Sequence, residues 1–201
     1  MTNSKKQLIL NRSLLLFLNY GIKVVSMDDI ANKCGISKRT LYKLFDSKSD
    51  LLKCIVENKT EEFLLKLSVI HDKSKDAVEE LLEYIKLIST VFKSISPITI
   101  RDLKKYHIDI YLQVLRLNPN KLRPLINKNM ERGIKEGLYN KNLFIEAYVK
   151  SFIKIIAAYF NSSSEQKKLE EHYQMLDFFF KLFFKGLFTA KGYEKFEKYY
   201  V

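Results

Sequence analysis

Apolar residues recur at helical spacing along nearly the whole chain. Between Lys5 and Tyr20, the residues Ile9, Leu10, Leu14 and Phe17, with Leu16 beside them, make one broad face. Gly21 follows, where a left-handed residue ends a helix at little steric cost. Ser26 then stands before MDDIANK, its hydroxyl placed to cap and Asp29 three residues on as the acidic member of a capping box, so a short helix is predicted over about 27–33. Cys34-Gly35-Ile36 reads as a tight junction, and Ser37 is a second N-cap before KRTLYKLF. There Leu41, Leu44 and Phe45 fall on one side, leaving Lys38, Arg39, Thr40, Tyr42 and Lys43 to water or a ligand. Ser47, with Asp50 three residues later, caps a third start, from which Leu51, Leu52, Ile55 and Val56 continue a long helix.

Another amphipathic segment, roughly 76–92, runs through Val78, Leu81, Leu82, Ile85 and Ile88. Ser96-Pro97 reads as N-cap and first helical residue of a helix expected to last to about Leu117, where Asn118-Pro119 should break it. A helix over about 121–135 should end near Gly137. The stretches 142–160 and 165–188 are the last long segments, parted by NSSS at 161–164, and the tail KGYEKFEKYYV has no clear period. With six glycines and three prolines in 201 residues, 47% of them hydrophobic, the composition favours long helices and a well-filled core. The fold class expected is all-α.

Charge narrows the partners. The net charge is +12; residues 1–60 hold eleven Lys/Arg against five Asp/Glu, and the remaining 141 residues hold 24 against 18, so the front of the chain carries half of the surplus. Such a surplus suits an anionic partner, and its concentration around the short helices suits nucleic acid. Cys34 and Cys54, twenty residues apart, lack the spacing of a zinc site or a disulfide framework, and read as small apolar fillers in a reducing compartment. The basic, then apolar start MTNSKKQLIL is interrupted by Asn11 and Arg12, and 175–188 is short and carries Asp177, Lys181 and Lys185. No membrane is expected as a partner, and a cytoplasmic location follows.

The three short starts have a mechanical reading. A small Ala31 lets two helices cross closely, Gly35 permits the sharp turn, and Ile36, Leu41 and Leu44 fill the angle between them, as in a helix-turn-helix. The outward side of the second helix then presents KRT and YK to a duplex. Arg39 has the planar fork to read a guanine edge, and Thr40 suits a base or a thymine methyl. Tyr42, Lys38 and Lys43 are placed for the backbone, with Ser26 and Lys48, at the starts of flanking helices, as phosphate contacts on either side.

Residues 8–56, LILNRSLLLFLNYGIKVVSMDDIANKCGISKRTLYKLFDSKSDLLKCIV, resemble the N-terminal domain of the TetR family of bacterial transcriptional regulators. The likeness rests on Ser26-Met27-Asp28-Asp29-Ile30-Ala31, then Gly35 through Tyr42, Phe45, Ser47-Lys48 and Asp50-Leu51-Leu52. Ser13 stands where a small Ala is usual, and Lys43-Leu44 replaces a frequent aromatic/His pair. The resemblance implies an all-helical homodimer, most often a repressor, with a recognition helix over 38–45, a phosphate-contacting tyrosine at Tyr42 and a larger C-terminal domain that binds an inducer. The expected organisation is a three-helix DNA-binding domain over 1–56, linked through the helix starting near 48, and a helical ligand-binding and dimerisation domain over 57–201.

A single helix-turn-helix reads few bases, so two-fold pairing on a palindromic duplex is expected. In 175–188 apolar residues surround much of the helix, and Leu176, Phe179, Phe180, Phe183, Phe184 and Leu187 are the candidate dimer contacts, opposite a second helix at about 143–160. The candidate inducer pocket is Tyr84, Ile88, Phe92, Tyr106, Ile110, Leu115, Tyr148, Phe152 and Tyr159, a mixture suited to a small apolar or aromatic compound. Core packing explains the same residues. His71, His107 and His172 are scattered without metal-ligand spacing, and no nucleophile elbow or phosphate loop appears, so neither a cofactor nor an enzyme is expected. Activation by the same fold, or a helical adaptor without DNA binding, are the alternative readings.

Overall fold

The computed structural model describes residues 3–162, 178 and 180–200, without the side chains at 3, 92, 115–121 and 156–162. Within these residues the regular elements are helices: α1 (Asn3–Tyr20), α2 (Met27–Cys34), α3 (Lys38–Tyr42), α4 (Lys48–Lys73), α5 (Ala77–Ser94), α6 (Pro97–Tyr106), α7 (Ile108–Lys135), α8 (Ile145–Ser162) and α9 (Ala190–Tyr199). A helical stretch at 180–187 precedes α9, and one isolated bridge pairs Tyr139 with Phe188. The chain divides into two compact units, each discontinuous: Met1–Phe63 with Lys93–Val114, and Leu64–Phe92 with Leu115–Val201.

Two expectations need correction. The helix begun at Ser96 does not run to Leu117; it stops at Tyr106, with His107 at φ −141° as its C-cap, and α7 then continues through Pro119 and Pro124 to Lys135. A proline deletes one intrahelical hydrogen bond and bends a helix, but it need not end one whose apolar face is packed further on. Ile126 and Met130 are buried beyond both prolines. The patternless tail is the other case. Thr189 accepts the N–H of Gly192 as an N-cap, and Phe196 anchors α9 in the core.

In the first unit the core is Ile9, Phe17, Ile22, Ile30, Leu41, Phe45, Leu51 and Ile55. α6 joins it against α1: the Thr99 hydroxyl donates at 2.8 Å to the carbonyl of Phe17, which also accepts the N–H of Gly21 at 2.9 Å at the end of α1. The second unit is built on aromatics. Phe184 stacks on Phe188 with centroids 5.4 Å apart, and Phe196 meets both at 5.5 and 5.6 Å. Its buried charge is compensated: Glu80, with no exposed side-chain surface, accepts hydrogen bonds from Arg132 Nη1 and the Tyr84 hydroxyl at 2.8 Å, with His71 Nδ1 at the same distance.

Candidate nucleic-acid interface

The geometry of α2 and α3 is fixed by short-range hydrogen bonds that the sequence supplies residue by residue. Ser26 Oγ accepts the Asp29 N–H at 3.1 Å and the Asp29 carboxylate accepts the Ser26 N–H at 2.8 Å, a complete capping box. The Ser26 hydroxyl also donates to that carboxylate at 2.6 Å, and these two Ser26 donors hold the Asp29 carboxyl below its ordinary range. At the other end Gly35 sits at φ 65°; its N–H reaches Asn32 O and that of Ile36 reaches Ala31 O at 3.0 Å. This left-handed Schellman turn sends the chain directly into Ser37, whose Oγ accepts the Thr40 N–H at 3.1 Å and caps α3.

With Leu41 and Phe45 buried in the core, the opposite side of α3 faces water. Arg39, Tyr42 and Lys43 are exposed there, and among the described residues neither the Arg39 guanidinium nor the Lys43 ammonium has a hydrogen-bond or ion-pair partner. Thr40 is half-buried, its hydroxyl 2.8 Å from that of Ser37. Lys38 is exposed but paired with Asp28 at 2.9 Å, which holds its ammonium above the usual lysine range. The regular helix is shorter than 38–45, since Lys43 is its C-cap.

Lys48 is placed differently from a free phosphate contact. Its Nζ donates to the carbonyls of Ile22 and Val25 at 2.9 Å and approaches that of Lys23 at 3.3 Å, so it staples the α1–α2 turn to the start of α4. Burial lowers its affinity for a proton, and the negative charge of Asp102 opposes that effect. Ser47 caps α4 as its position suggests, while the Asp50 carboxylate reaches the Asp46 N–H and not the cap's own.

Residues of α6 complete this turn, and sequence reasoning assigned none of them to it. The Asp102 carboxylate, buried, accepts the Lys23 N–H. Gly21, at φ 87°, makes room: a Cβ there would lie 2.9 Å from Asp102 Oδ2. His107 Nδ1 lies 3.2 Å from Ser49 Oγ, and burial, with the charge of Lys48, keeps the imidazole below its ordinary range. The ammonium groups of Lys23 and Lys105 each stand 5.4 Å from the centroid of the Tyr106 ring.

The described candidate pocket residues are shared between the two units. Tyr106, exposed, and Ile110 belong to the first unit; Tyr84, Ile88, Tyr148 and Phe152 belong to the second. The Tyr84 hydroxyl is committed to Glu80 and that of Tyr148 to the Phe183 carbonyl. The side chains of Phe92, Leu115 and Tyr159 lie outside the described residues. An open groove lined by Lys185, Phe188, Thr189, Ala190 and Tyr193 includes none of the nine. Of the candidate dimer contacts, Phe184 and Leu187 are buried inside their own unit, because Phe188 and Phe196 pack on the first of them; Phe180 and Phe183 are half-buried, and Leu176 and Phe179 lie outside the described residues. Phe178 and Leu182, one turn apart, remain exposed.

Comparison with known proteins places this geometry. Residues 9–55 match the family of bacterial regulatory proteins, tetR family. An uncharacterized HTH-type transcriptional regulator of Bacillus subtilis, YvaF, is 24% identical over 134 residues, 65% of this chain and 70% of the relative. Among solved structures, a transcriptional regulator of the TetR/AcrR family from Thermobifida fusca is similar with a TM-score of 0.68 at 16% identity, covering 92% of this chain and 98% of its own. The FadR transcriptional regulator of Bacillus subtilis, solved in complex with stearoyl-CoA, is similar with a TM-score of 0.65 at 16% identity, covering 90% and 98%. No helix among the described residues is long and apolar enough to cross a membrane. Motif, relatives and fold agree: over residues 9–55 the chain is similar to bacterial regulatory proteins of the tetR family, and its fold is that of a TetR/AcrR transcriptional regulator.

Proposed function

We propose that the protein is a ligand-responsive repressor that acts in the cytoplasm as a homodimer, placing two copies of α3 in successive major grooves of a palindromic promoter site. The observation that carries this reading is the outward face of α3, where Arg39 and Lys43 are exposed, without side-chain partners among the described residues, on a helix locked by caps at both ends. Arg39 is the base reader in this account, Thr40 a secondary one, and Ser26, Lys38, Tyr42 and Lys43 hold phosphates. Lys48 acts through the turn it staples. The helix-turn-helix of 1–56 supplies DNA contacts, and 57–201 supplies pairing and regulation.

Pairing uses the apolar surface around 175–188, of which Phe178 and Leu182 are the exposed described members. The inducer is a small apolar or aromatic compound, a class supported by the aromatic content of the second unit and by the apolar acyl chain of the stearoyl-CoA bound to the B. subtilis FadR of like fold. Induction requires that the ligand bind more tightly to an arrangement whose two recognition helices do not match the groove spacing.

Selection of genomic fragments with the purified protein, followed by footprinting, tests the reading. Two protected half-sites about 34–36 Å apart, or a multiple of that, are expected, with affinity falling steeply as salt rises. Recovery of no preferred fragment, with salt-independent retention of duplex, would overturn it.

A further inference from the structure

Outside the helix-turn-helix, the end of α6 and the α1–α2 turn build a concentration of positive charge that the fold itself does not use. Lys23 and Lys105, from segments far apart in sequence, each bring an ammonium group to 5.4 Å from the centroid of one exposed tyrosine ring, Tyr106. The nearby Lys23 ammonium, with the charge of Lys105 adding to it, holds the phenol below its ordinary range. Among the described residues no carboxylate pairs with either ammonium; the nearby Asp102 accepts the backbone N–H of Lys23 and is itself buried. Two cations gathered at one ring repel each other, and an anion between them relieves that cost.

The position of this group names the anion. Lys23 precedes the N-cap Ser26 by three residues, a span of roughly 10 Å at full extension. His107, next to Tyr106, touches Ser49 in the first turn of α4. The group therefore stands beside the N-terminal ends of α2 and α4, the same ends whose free N–H groups suit backbone phosphate. A duplex that carries one charge per roughly 1.7 Å of axis passes such a place with several phosphates in reach.

We propose that Lys23, Lys105 and Tyr106 form a second phosphate-binding site, which grips the DNA backbone beside the recognition helix and is supplied by α6. This rests on the DNA-binding reading above and extends it to a segment beyond the helix-turn-helix motif. Each ammonium neutralises one phosphate charge and the phenol donates its proton to a phosphate oxygen. The site adds affinity without base preference, because phosphates carry no sequence information of their own.

The test is the salt dependence of duplex binding, read by fluorescence anisotropy on the selected operator and on a scrambled duplex. The variant Lys23→Gln/Lys105→Gln is compared with Lys23→Arg/Lys105→Arg and with Lys66→Gln/Lys141→Gln, which removes two exposed charges elsewhere; circular dichroism checks that each is folded. The glutamine pair at the site should flatten the slope of log affinity against log salt by roughly 1.8, about 0.9 for each lost contact. Operator preference should be kept, the arginine pair should restore the slope, and the remote pair should leave it as in the wild type. An unchanged slope in the site variant, or an equal loss in the remote one, would overturn the proposal. So would an unchanged slope together with binding of inorganic phosphate by the wild type that the site variant loses, the mark of a small-anion site. If the wild type binds no duplex, the regulatory reading fails before any substitution is made, and this site with it.

Discussion

The Asp102 carboxylate accepts the backbone N–H of Lys23 at 2.8 Å, joining α6 to the turn that delivers the chain into the helix-turn-helix. On the other side of the same turn, Lys48 collects the carbonyls of Ile22 and Val25. Both kinds of orphan backbone group are thereby satisfied by charged side chains, one from each flanking helix.

Asp102→Ala strips the acceptor from a part-buried N–H and removes the negative charge near Lys48. A loss of about 1–3 kcal/mol is expected in urea denaturation, with a smaller loss for Asp102→Asn, which keeps an acceptor oxygen. Equal destabilisation by the two would assign the effect to packing.

Ser13 in α1 has a buried hydroxyl without a hydrogen-bond partner among the described residues. Ser13→Ala removes that oxygen at almost no cost in volume, and should raise stability by about 1 kcal/mol and the melting temperature with it. A lower melting temperature would mean that the hydroxyl is satisfied in solution.

In the second unit, Arg132 joins Glu80, Glu136 and the Ser74 carbonyl, bridging α7, α5 and the end of α4. Arg132→Ala leaves the fully buried Glu80 without its cation, and a loss of about 3–5 kcal/mol is expected. Pairing Arg132→Met with Glu80→Leu should recover much of it, since the isolated charge is then gone. Chemical denaturation of the three proteins checks this order.

Asp76 supplies the pH dependence. One carboxylate oxygen accepts the N–H groups of Val78 and Glu79 at the start of α5, and the other takes Lys195 at 2.7 Å and the Tyr199 hydroxyl at 2.9 Å. Burial alone would raise its pKa, but the hydrogen bonds from Lys195, Glu79 and Tyr199 outweigh it and hold the group below 3.8. A depressed carboxylate stabilises the fold fully above its unfolded pKa and loses that contribution as pH falls through the folded one. Thermal melts should thus drop below about pH 4, and Asp76→Asn, which keeps the α5 cap, should start lower at pH 7 and lose less on acidification.

What the sequence makes legible follows from range. Ser26, Asp29, Gly35 and Ser37 act on neighbours within four residues, and their roles can be read from spacing alone. The outward face of α3 follows from Leu41 and Phe45 for the same reason. Lys48 could be placed at a helix start, but its engagement with the turn depends on how α1 and α4 pack. Asp102 and Thr99 reach back to Lys23 and Phe17 across some eighty residues, and no periodicity announces such a pairing. Around 118–119 the proline rule predicts a stop, whereas burial of Ile126 and Met130 keeps α7 in one piece. Phe184 and Leu187 look like surplus hydrophobicity until α9 arrives with Phe196 to cover part of that surface.

Arg39 decides the central question, whether α3 reads bases. Affinity of the wild type and of Arg39→Ala should be measured on the footprinted operator and on a scrambled duplex of equal length and at equal salt. A bidentate contact to guanine predicts that the variant loses about tenfold to a hundredfold of the operator preference while its affinity for scrambled duplex changes far less. An even loss on both duplexes, or none on either, would contradict a base-reading recognition helix.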